Sequence, residues 1–158
     1  MQNNVVHLDQ AACVRLEQMI STFGDGGAKA VADISLLFGK WLVQVEKDDF
    51  SWGFMFCDGL KLRVESLWRL IVSGRVVLTS EDHGQQFGLP APVDCIGELL
   101  RRVGGVPVTS ARVRARTVDI TLDFGDTATL EVIATSAGYE AWALSGLDVL
   151  IVGQPGYE

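Results

Sequence analysis

The sequence predicts an α+β fold in which a twisted antiparallel sheet, or two packed sheets built from hairpins, is covered by two helices. Three observations predict it: short runs that alternate apolar and polar residues, glycine-containing turns between those runs, and two stretches with apolar residues at helical spacing. A length of 158 residues suits a single domain, residues 1–158, that buries a core without metal or disulfides.

The clearest strand pattern lies in residues 112–132. Its apolar side consists of Val113, Ala115, Val118, Ile120, Leu122 and Phe124. Its polar side consists of Arg112, Arg114, Arg116, Asp119, Thr121 and Asp123. Alternation with a period of two is typical of a strand that buries one face, and Gly125-Asp126 predicts a turn back into residues 128–132. We expect the outward arginines to pair with carboxylates such as Asp119, Asp123 or Glu131 across the strands.

Shorter runs on either side predict further hairpins. Trp41, Val43 and Val45 are expected to share one face of a strand, as are Trp52, Phe54 and Phe56, which precede the turn Asp58-Gly59. The other predicted strands are residues 60–64, residues 67–72 with 75–79 around Ser73-Gly74, and residues 139–144 with 149–152 around Ser145-Gly146. All four tryptophans are therefore expected to lie mainly in the core.

Two segments have the pattern of amphipathic helices. Asp9 is expected to N-cap a helix that extends to about residue 23, and Asp94 a second helix that extends to Val103, each followed by glycine. Each half of the chain then has the order helix, strand, hairpin, strand pair, and residues 54–64 correspond in pattern to residues 120–132. This order suggests an internal duplication, although any two amphipathic hairpins resemble each other.

The composition argues against several classes of function. A net charge of −7 disfavours general binding to nucleic acid or to anionic membranes and is compatible with a basic protein partner. The chain opens without a signal-peptide pattern, and its apolar runs are too short to cross a bilayer. Cys13, Cys57 and Cys95 are expected to be free thiols in a reducing compartment, so the cytoplasm is the predicted location.

Catalytic and metal-binding patterns are weak. Asp123-Phe124-Gly125 has the letters of a kinase metal-binding tripeptide without the other kinase motifs, and the only histidines, His7 and His83, lack the spacing of zinc ligands. Paired carboxylates are expected on exposed turns or outward strand faces, where water keeps their chemistry ordinary. We therefore expect no catalytic residue, no metal and no cofactor.

Two acidic segments, residues 46–49 and 81–82, are the best candidates for contact with a partner. Phe50 and Trp52 lie beside the first of them, and aromatic side chains dominate binding hot spots. The predicted partner-binding residues are Glu46, Asp48, Asp49, Phe50, Trp52, Glu81 and Asp82.

Residues 41–156 resemble an uncharacterised bacterial family of small β-rich domains. The resemblance is carried by Val64-Glu65-Ser66-Leu67-Trp68-Arg69-Leu70, Leu99-Leu100 with Gly104, Val108-Thr109-Ser110-Ala111, residues 120–130, and above all Tyr139-Glu140-Ala141-Trp142-Ala143-Leu144 with Gly146 and Pro155-Gly156. It implies a hairpin–helix–hairpin order and no established activity. The chain departs from the family in its additional N-terminal helix and in ending soon after Pro155-Gly156. The Tyr-Glu-Ala-Trp motif is expected to place its two aromatic rings on opposite faces of an edge strand.

Three hypotheses of function follow. The first is a non-catalytic protein-binding module, in particular an immunity protein that neutralises a basic bacterial toxin, since an acidic surface steers a cationic partner. The second is a small-molecule-binding or enzymatic domain with a cleft between the sheet halves, which an apolar cleft with converging Asp, Tyr and His groups would favour. The third is a structural subunit, such as a homodimer, that pairs through an exposed strand edge near residues 139–144.

Overall fold

A computed structural model describes residues 33–156. The strands are β1 (Leu42–Lys47), β2 (Trp52–Phe56), β3 (Lys61–Val64), β4 (Leu67–Val72), β5 (Arg75–Thr79), β6 (Val108–Val113), β7 (Ile120–Phe124), β8 (Ala128–Ile133), β9 (Trp142–Gly146) and β10 (Val149–Gly153). Helix α1 spans Cys95–Val103, and short 3-10 turns cover Ser35–Leu37 and Ser80–Asp82. The helix predicted for residues 9–23 lies outside the described residues.

The strands form two five-stranded antiparallel sheets, with the orders β1-β2-β3-β9-β10 and β5-β4-β8-β7-β6. The β-rich, antiparallel part of the predicted fold is thus confirmed. The expected pair of covering helices is not what residues 33–156 show, because they contain one α-helix.

Both sheets contribute to one hydrophobic core. Alternate residues of β7 and β8 are fully buried, as the period-two pattern predicts: Ile120, Leu122, Phe124, Leu130 and Val132. Trp52, Phe54 and Phe56 share the same core on the first sheet, which confirms their expected common face. Each such side chain stabilises the fold by about 1.5–3 kcal/mol relative to its exposed state.

Helix α1 begins where the sequence predicts it. The Asp94 carboxylate accepts hydrogen bonds from the backbone N–H groups of Ile96 and Gly97, each at 3.1 Å, and so caps the helix. Leu99 and Val103 are buried, and the helix packs against β1. The helix therefore covers β1, an edge strand of the first sheet.

The two halves of the described chain have the same topology. In the first half, β1-β2-β3 form a meander in one sheet and the hairpin β4-β5 joins the other; in the second half, β6-β7-β8 form the meander and β9-β10 cross back. Replacing β1–β5 by β6–β10 converts one sheet order into the other. The strand order thus repeats between the halves.

The repeat extends to single residues. Trp68 lies opposite Val132 and Trp142 lies opposite Val64, so the two fully buried tryptophans are equivalent. The first strand of each meander contains a bulge, after Leu42 in β1 and after Val108 in β6.

The backbone where the halves meet repeats as well. The N–H of Gly39 donates to the Val108 carbonyl at 2.8 Å, and the N–H of Gly105 donates to the Leu42 carbonyl at 3.3 Å. Gly39 and Gly105 both have positive φ, 76° and 73°, which glycine adopts without strain. Reciprocal bonds of this kind indicate that the halves are related by an approximate two-fold axis.

The prediction of one continuous strand through residues 112–124 is wrong. Strand β6 ends at Val113 and β7 begins at Ile120, with a six-residue loop, 114–119, between them. Arg116 and Val118 have φ values of 73° and 57°, a region that side-chain-bearing residues rarely adopt. The expected buried position Ala115 is exposed in this loop.

Two other strand predictions need correction. Because of its bulge, β1 buries Leu42 and Val45 and leaves Val43 half exposed, while Trp41, just before the strand, is buried as well. This breaks the expected alternation. Strand β9 begins at Trp142 and turns at residues 147–148, and it lies between β3 and β10. The aromatic motif is therefore not on an edge strand, and Tyr139 precedes the strand in an exposed segment.

The cysteines differ from one another. Cys95 is a buried free thiol, as expected. Cys57 is disulfide-bonded, so the expectation of free thiols is wrong for this residue. Within residues 33–156, no helix combines the length and the apolar character needed to span a membrane.

Candidate partner-binding cleft

A cleft of about 450 Å³ opens where three connections meet: the β1–β2 turn, the β3–β4 connection and the segment that follows β5. Both predicted acidic segments reach it. Asp49 and Phe50 line it from the β1–β2 turn, and Glu81 lines it from the segment after β5. Residues that are more than thirty positions apart in sequence are thus brought to one concave surface.

Aromatic rings form the wall of the cleft. Trp52 is 5% exposed and lies edge-to-face with Trp68, with ring centroids 5.0 Å apart. The His83 ring lies edge-to-face with Trp52 at 5.3 Å, and Phe54 packs on Trp68 at 5.8 Å. Such contacts hold the rings in fixed orientations and add about 0.5–1.5 kcal/mol per aromatic pair beyond burial.

The polar end of Trp68 has no hydrogen-bond partner within residues 33–156. Its indole N–H is buried and makes no hydrogen bond to any part of the chain that the structure describes. The equivalent N–H, that of Trp142, donates to the backbone carbonyl of Val118 at 2.7 Å. Because a buried N–H without an acceptor costs about 1–3 kcal/mol, the two halves differ most sharply here.

Asp48 shapes the β1–β2 turn. Its carboxylate accepts hydrogen bonds from the backbone N–H of Phe50 at 3.0 Å and from the N–H and hydroxyl of Ser51 at 2.7 and 2.9 Å. These bonds, led by that from Phe50, hold the pKa of Asp48 below its usual value of 3.8. Phe50 consequently projects from a tight turn and is 89% exposed.

The second acidic segment, residues 81–82, is also fixed by side-chain hydrogen bonds. The Asp82 carboxylate accepts from the N–H of Thr79 at 2.8 Å and closes a capping box on the 3-10 turn. His83 Nδ1 accepts from the N–H of Cys95 at 3.2 Å, so that nitrogen carries no proton in this arrangement. Glu81 is left to face the cleft.

The thiol of Cys95 lies close to this segment and has low reactivity. Burial, reinforced by the charges of Asp82 and Asp94, raises the pKa of Cys95 to about 12. Its Sγ lies 3.4 Å from the Thr79 carbonyl, to which the S–H donates. Since only a thiolate is a strong nucleophile, this cysteine is poorly suited to covalent catalysis at neutral pH.

Charges around the cleft are mainly negative. Among the described residues that line it, Asp49, Glu65 and Glu81 are acidic and Lys47 is the one Lys or Arg. Glu65 is paired with Arg63. Lys47 is itself engaged, since its Nζ donates to the Asp48 carbonyl at 2.9 Å and lies 5.6 Å from the Trp52 ring centroid. The described lining of the cleft therefore carries more negative than positive side chains.

The structure places the seven predicted contact residues in two groups. Asp49, Phe50, Trp52 and Glu81 line the cleft. Asp48 and Asp82 support its walls, and Glu46 lies apart on β1, paired with Lys61. The sequence analysis considered His83 only as a zinc ligand, and it missed Glu65, Ser80 and Thr135, which come together only through the packing of the sheets.

The second half has an equivalent, smaller cleft of about 320 Å³ with a different surface. It is lined by Arg116 and Thr117 from the β6–β7 loop and by residues 134–137 and Pro155. The neighbouring Arg112 pairs with Asp123 at 2.9 Å, as expected, and Arg114 lies 3.9 Å from Asp119. Glu131 pairs instead with Arg69 at 2.6 Å.

Within residues 33–156, no three His, Cys, Asp or Glu side chains are grouped in a way that could hold a metal ion. Comparison with protein-family models, with curated proteins and with solved structures finds no match to this chain.

Proposed function

We propose that this protein is a non-catalytic protein-binding module, and specifically an immunity protein that neutralises a basic bacterial toxin through the acidic cleft. The observation that carries the proposal is the convergence of two separate acidic segments, represented by Asp49 and Glu81, beside the exposed ring of Phe50. Aromatic side chains near the centre of an interface often carry much of its binding energy.

The electrostatics support a cationic partner. The cleft lies on a chain whose net charge is −7, and like charges on two walls raise the local concentration of a basic protein. The turn that carries Asp49 is preorganised by the hydrogen bonds of Asp48, so little ordering is needed on association. Fast, salt-dependent association is the expected signature of such a surface.

Binding is better supported than acid–base catalysis. Catalysis by paired carboxylates needs one group in an apolar pocket that raises its pKa. Asp49 and Glu81 are both exposed to water. The cleft volume and its aromatic wall are what favour the second hypothesis, a small-molecule site.

Self-association is a separate proposal. The edge expected near residues 139–144 is not an edge strand, so the proposal moves to other strands. Among the described residues, the outer strands β5 and β10 carry exposed apolar side chains, Val76 and Leu150. Edge strands of this kind can pair with a second copy.

We also propose that the chain arose by duplication of a five-stranded unit. The repeated strand order and the equivalent Trp68 and Trp142 support it. Duplication would explain how one cleft diverged into a binding surface, while the other half kept the hydrogen bond between Trp142 and the Val118 carbonyl.

The cytoplasmic location stays a prediction. The bonded Cys57 gives a reason to test it by cell fractionation, since disulfides persist mainly in oxidising compartments.

Co-purification tests the function. The chain is co-expressed with the product of the adjacent reading frame, and the complex is captured through a tag on the toxin candidate. We expect a complex whose association rate falls more than tenfold for Asp49→Lys/Glu81→Lys at low salt. Asp126→Lys/Glu140→Lys is the matched control, because these exposed acids change the net charge equally away from the cleft. The absence of a partner, or equal effects of the two pairs, would overturn the proposal.

A further inference from the structure

The two sheets of the described chain have four outer strands, and three of them are covered or interrupted. Helix α1 packs along β1, and the 3-10 turn Ser35–Leu37 packs against β6. Strand β5 contains a bulge, begins with the exposed Arg75 and contacts α1. A bulge, a charge or a covering element is how proteins prevent an outer strand from pairing with another chain.

Strand β10, the equivalent of β5 in the second half, shows none of these features within the described chain. Its residues, Val149–Gly153, are uncharged and pair with β9 in unbroken register. Among the described elements, β9 alone makes extensive contact with it. Leu150 and Val152 are 72% and 39% exposed, whereas Ile151 packs against the core. Strand β10 therefore presents an apolar, uncharged edge to solvent.

The main chain of β10 is available at the same edge. Residues 147–148 have φ values of 50° and 62° and form a two-residue turn, which makes Gly146 and Val149 a hydrogen-bonded pair. Bonded and non-bonded pairs alternate along an antiparallel ladder, so the N–H and C=O groups of Leu150 and Val152 point away from β9. Within the described chain, no main-chain bond from another segment reaches these groups.

We propose that β10 is a homodimer interface, at which it pairs antiparallel with β10 of a second copy about a two-fold axis at Ile151. Leu150 of each copy then lies opposite Val152 of the other. The outward N–H and C=O groups of both pairs form hydrogen bonds across the axis, as the bonded pairs of an antiparallel ladder do. The first sheets of the two copies become one continuous sheet.

The chemistry of the edge favours a second copy as its partner. Two chains of net charge −7 repel each other, so they approach closely only where their surfaces are uncharged, and β10 carries no charged side chain. In the pairing about Ile151, the exposed Leu150 of each copy packs beside Val152 of the other, which removes apolar surface of both from water. A basic partner would meet no carboxylate on this strand.

The homodimer interface is separate from the acidic cleft. None of the described residues that line the cleft belongs to β9 or β10. Pairing through β10 therefore uses none of the residues that bind the toxin in the proposed function. The inference goes beyond that function and does not depend on it.

Sedimentation velocity of the full-length protein tests the pairing. A single pair of strands is a small interface, so we expect a dissociation constant on the order of 100 μM, measured between about 10 μM and about 1 mM. Leu150→Lys places a charge in each apolar pair, and we expect it to raise the dissociation constant more than about tenfold. Val76→Lys, at the equivalent exposed position of β5, changes the net charge equally, and we expect an effect below about twofold.

A proline substitution tests the main-chain bonds. Val152→Pro removes an N–H that points away from β9, so it deletes hydrogen bonds between the copies and none within the chain. We expect this variant to sediment as a monomer at every concentration. Val76→Pro is the matched control on β5, and amide spectra verify that both variants fold. If Val152→Pro does not fold, Leu150→Lys and amide exchange decide the question.

Amide hydrogen exchange of the wild type, followed by NMR, reports on single residues. Dimerisation at the expected affinity lowers the monomer fraction, so the N–H groups of Leu150 and Val152 should exchange about threefold more slowly at about 1 mM than at about 30 μM. The N–H of Ile151, bonded to β9 in both states, should not depend on concentration. The N–H of Val76 provides the same control on β5.

Three results would overturn the inference. The first is a protein that sediments as a monomer up to about 1 mM. The second is a dimer that Leu150→Lys leaves intact, since its contact must lie elsewhere. The third is protection of Leu150 and Val152 that does not change with concentration, because another part of the same chain would then cover β10. None of these results bears on the co-purification experiment, so the proposed function is judged separately.

Discussion

The two halves of the described chain share the same strand order and differ in the loops that connect the strands. Trp68 and Trp142 occupy equivalent positions opposite equivalent valines, yet among the described residues only the Trp142 indole has a hydrogen-bond acceptor. The difference arises in the connections, where a change of two residues in loop length alters a surface without disturbing the core. The comparison illustrates why binding surfaces evolve on loops that a rigid scaffold positions.

A second difference lies beneath the hairpin turns. In the first half, Lys40 and Asp58 form an ion pair at 3.1 Å with both side chains almost fully buried. Val106 is equivalent to Lys40 and contacts the core beside the turn at Gly125. Asp126, equivalent to Asp58, is exposed. The first half thus stabilises its turn with charges where the second uses an apolar contact.

The largest expected effect comes from breaking this ion pair. Lys40→Met removes the cation and leaves the Asp58 carboxylate buried, which we expect to lower the free energy of unfolding by about 3 kcal/mol. Urea denaturation measures the change. The equivalent substitution Val106→Met is the control, and we expect it to cost less than about 1.5 kcal/mol because no charge is involved.

The double variant sharpens the result. In Lys40→Met/Asp58→Asn no charge remains buried, so part of the lost stability should return. A cost for Lys40→Met no greater than that for Val106→Met would show that the two turns are energetically alike.

The next effect concerns the residue opposite each tryptophan. Gly153 pairs with Trp142, and a Cβ atom at Gly153 would overlap the indole ring. The equivalent position holds Ser80, whose hydroxyl accepts a hydrogen bond from the backbone N–H of Trp68 at 3.4 Å. We expect Gly153→Ala to lower the free energy of unfolding by about 2 kcal/mol through overpacking. Thermal and urea unfolding measure it, with Gly156→Ala as control since nothing lies within 4 Å of its Cβ position. Equal stability of the two variants would contradict the tight packing.

Much of the strand order was predictable, because burial of one sheet face imposes a period of two on the sequence. Residues 67–72 and 75–79 around Ser73-Gly74 became β4 and β5 within their predicted bounds, and Asp94 caps α1 as predicted. These features depend on local patterns: turn residues, a capping side chain and alternation. The correspondence of residues 54–64 with 120–132 was visible for the same reason.

The errors arose where a local pattern continued through a change of structure. Alternation in residues 112–124 persisted through loop 114–119, in which Val118 adopts a conformation that its side chain disfavours. The acidic segments were recognisable, but nothing local indicated that Glu81 and Asp49 line one cleft or that His83 packs on Trp52. The tertiary arrangement of the two sheets determines both features.

A smaller effect isolates the hydrogen bond of Trp142. Trp→Phe removes similar ring volume at both equivalent sites, so the difference between Trp142→Phe and Trp68→Phe reports the bond to Val118. We expect Trp142→Phe to be about 1 kcal/mol more destabilising, since it leaves the Val118 carbonyl without its donor. Urea denaturation of both variants measures the difference. Equal costs would indicate that Trp68 has an acceptor of comparable strength.

The smallest effect concerns the carboxylate that shapes the short turn of the first half. The pKa of Asp48 is lowered from 3.8, chiefly by the hydrogen bond from Phe50 N–H. A lowered folded-state pKa means that the charged form stabilises the fold above the unfolded pKa, and this contribution is lost as pH falls through the folded pKa. The stability advantage of the wild type over Asp48→Asn should therefore shrink as the pH falls below 3.8. Carboxyl ¹³C titration should give a midpoint below 3.8, and Ser51→Ala, which removes one donor, should move it part of the way back. A midpoint at or above 3.8 would mean that the turn presenting Phe50 is not held by this side chain, and the contrast between the short and the long loop would then rest on length alone.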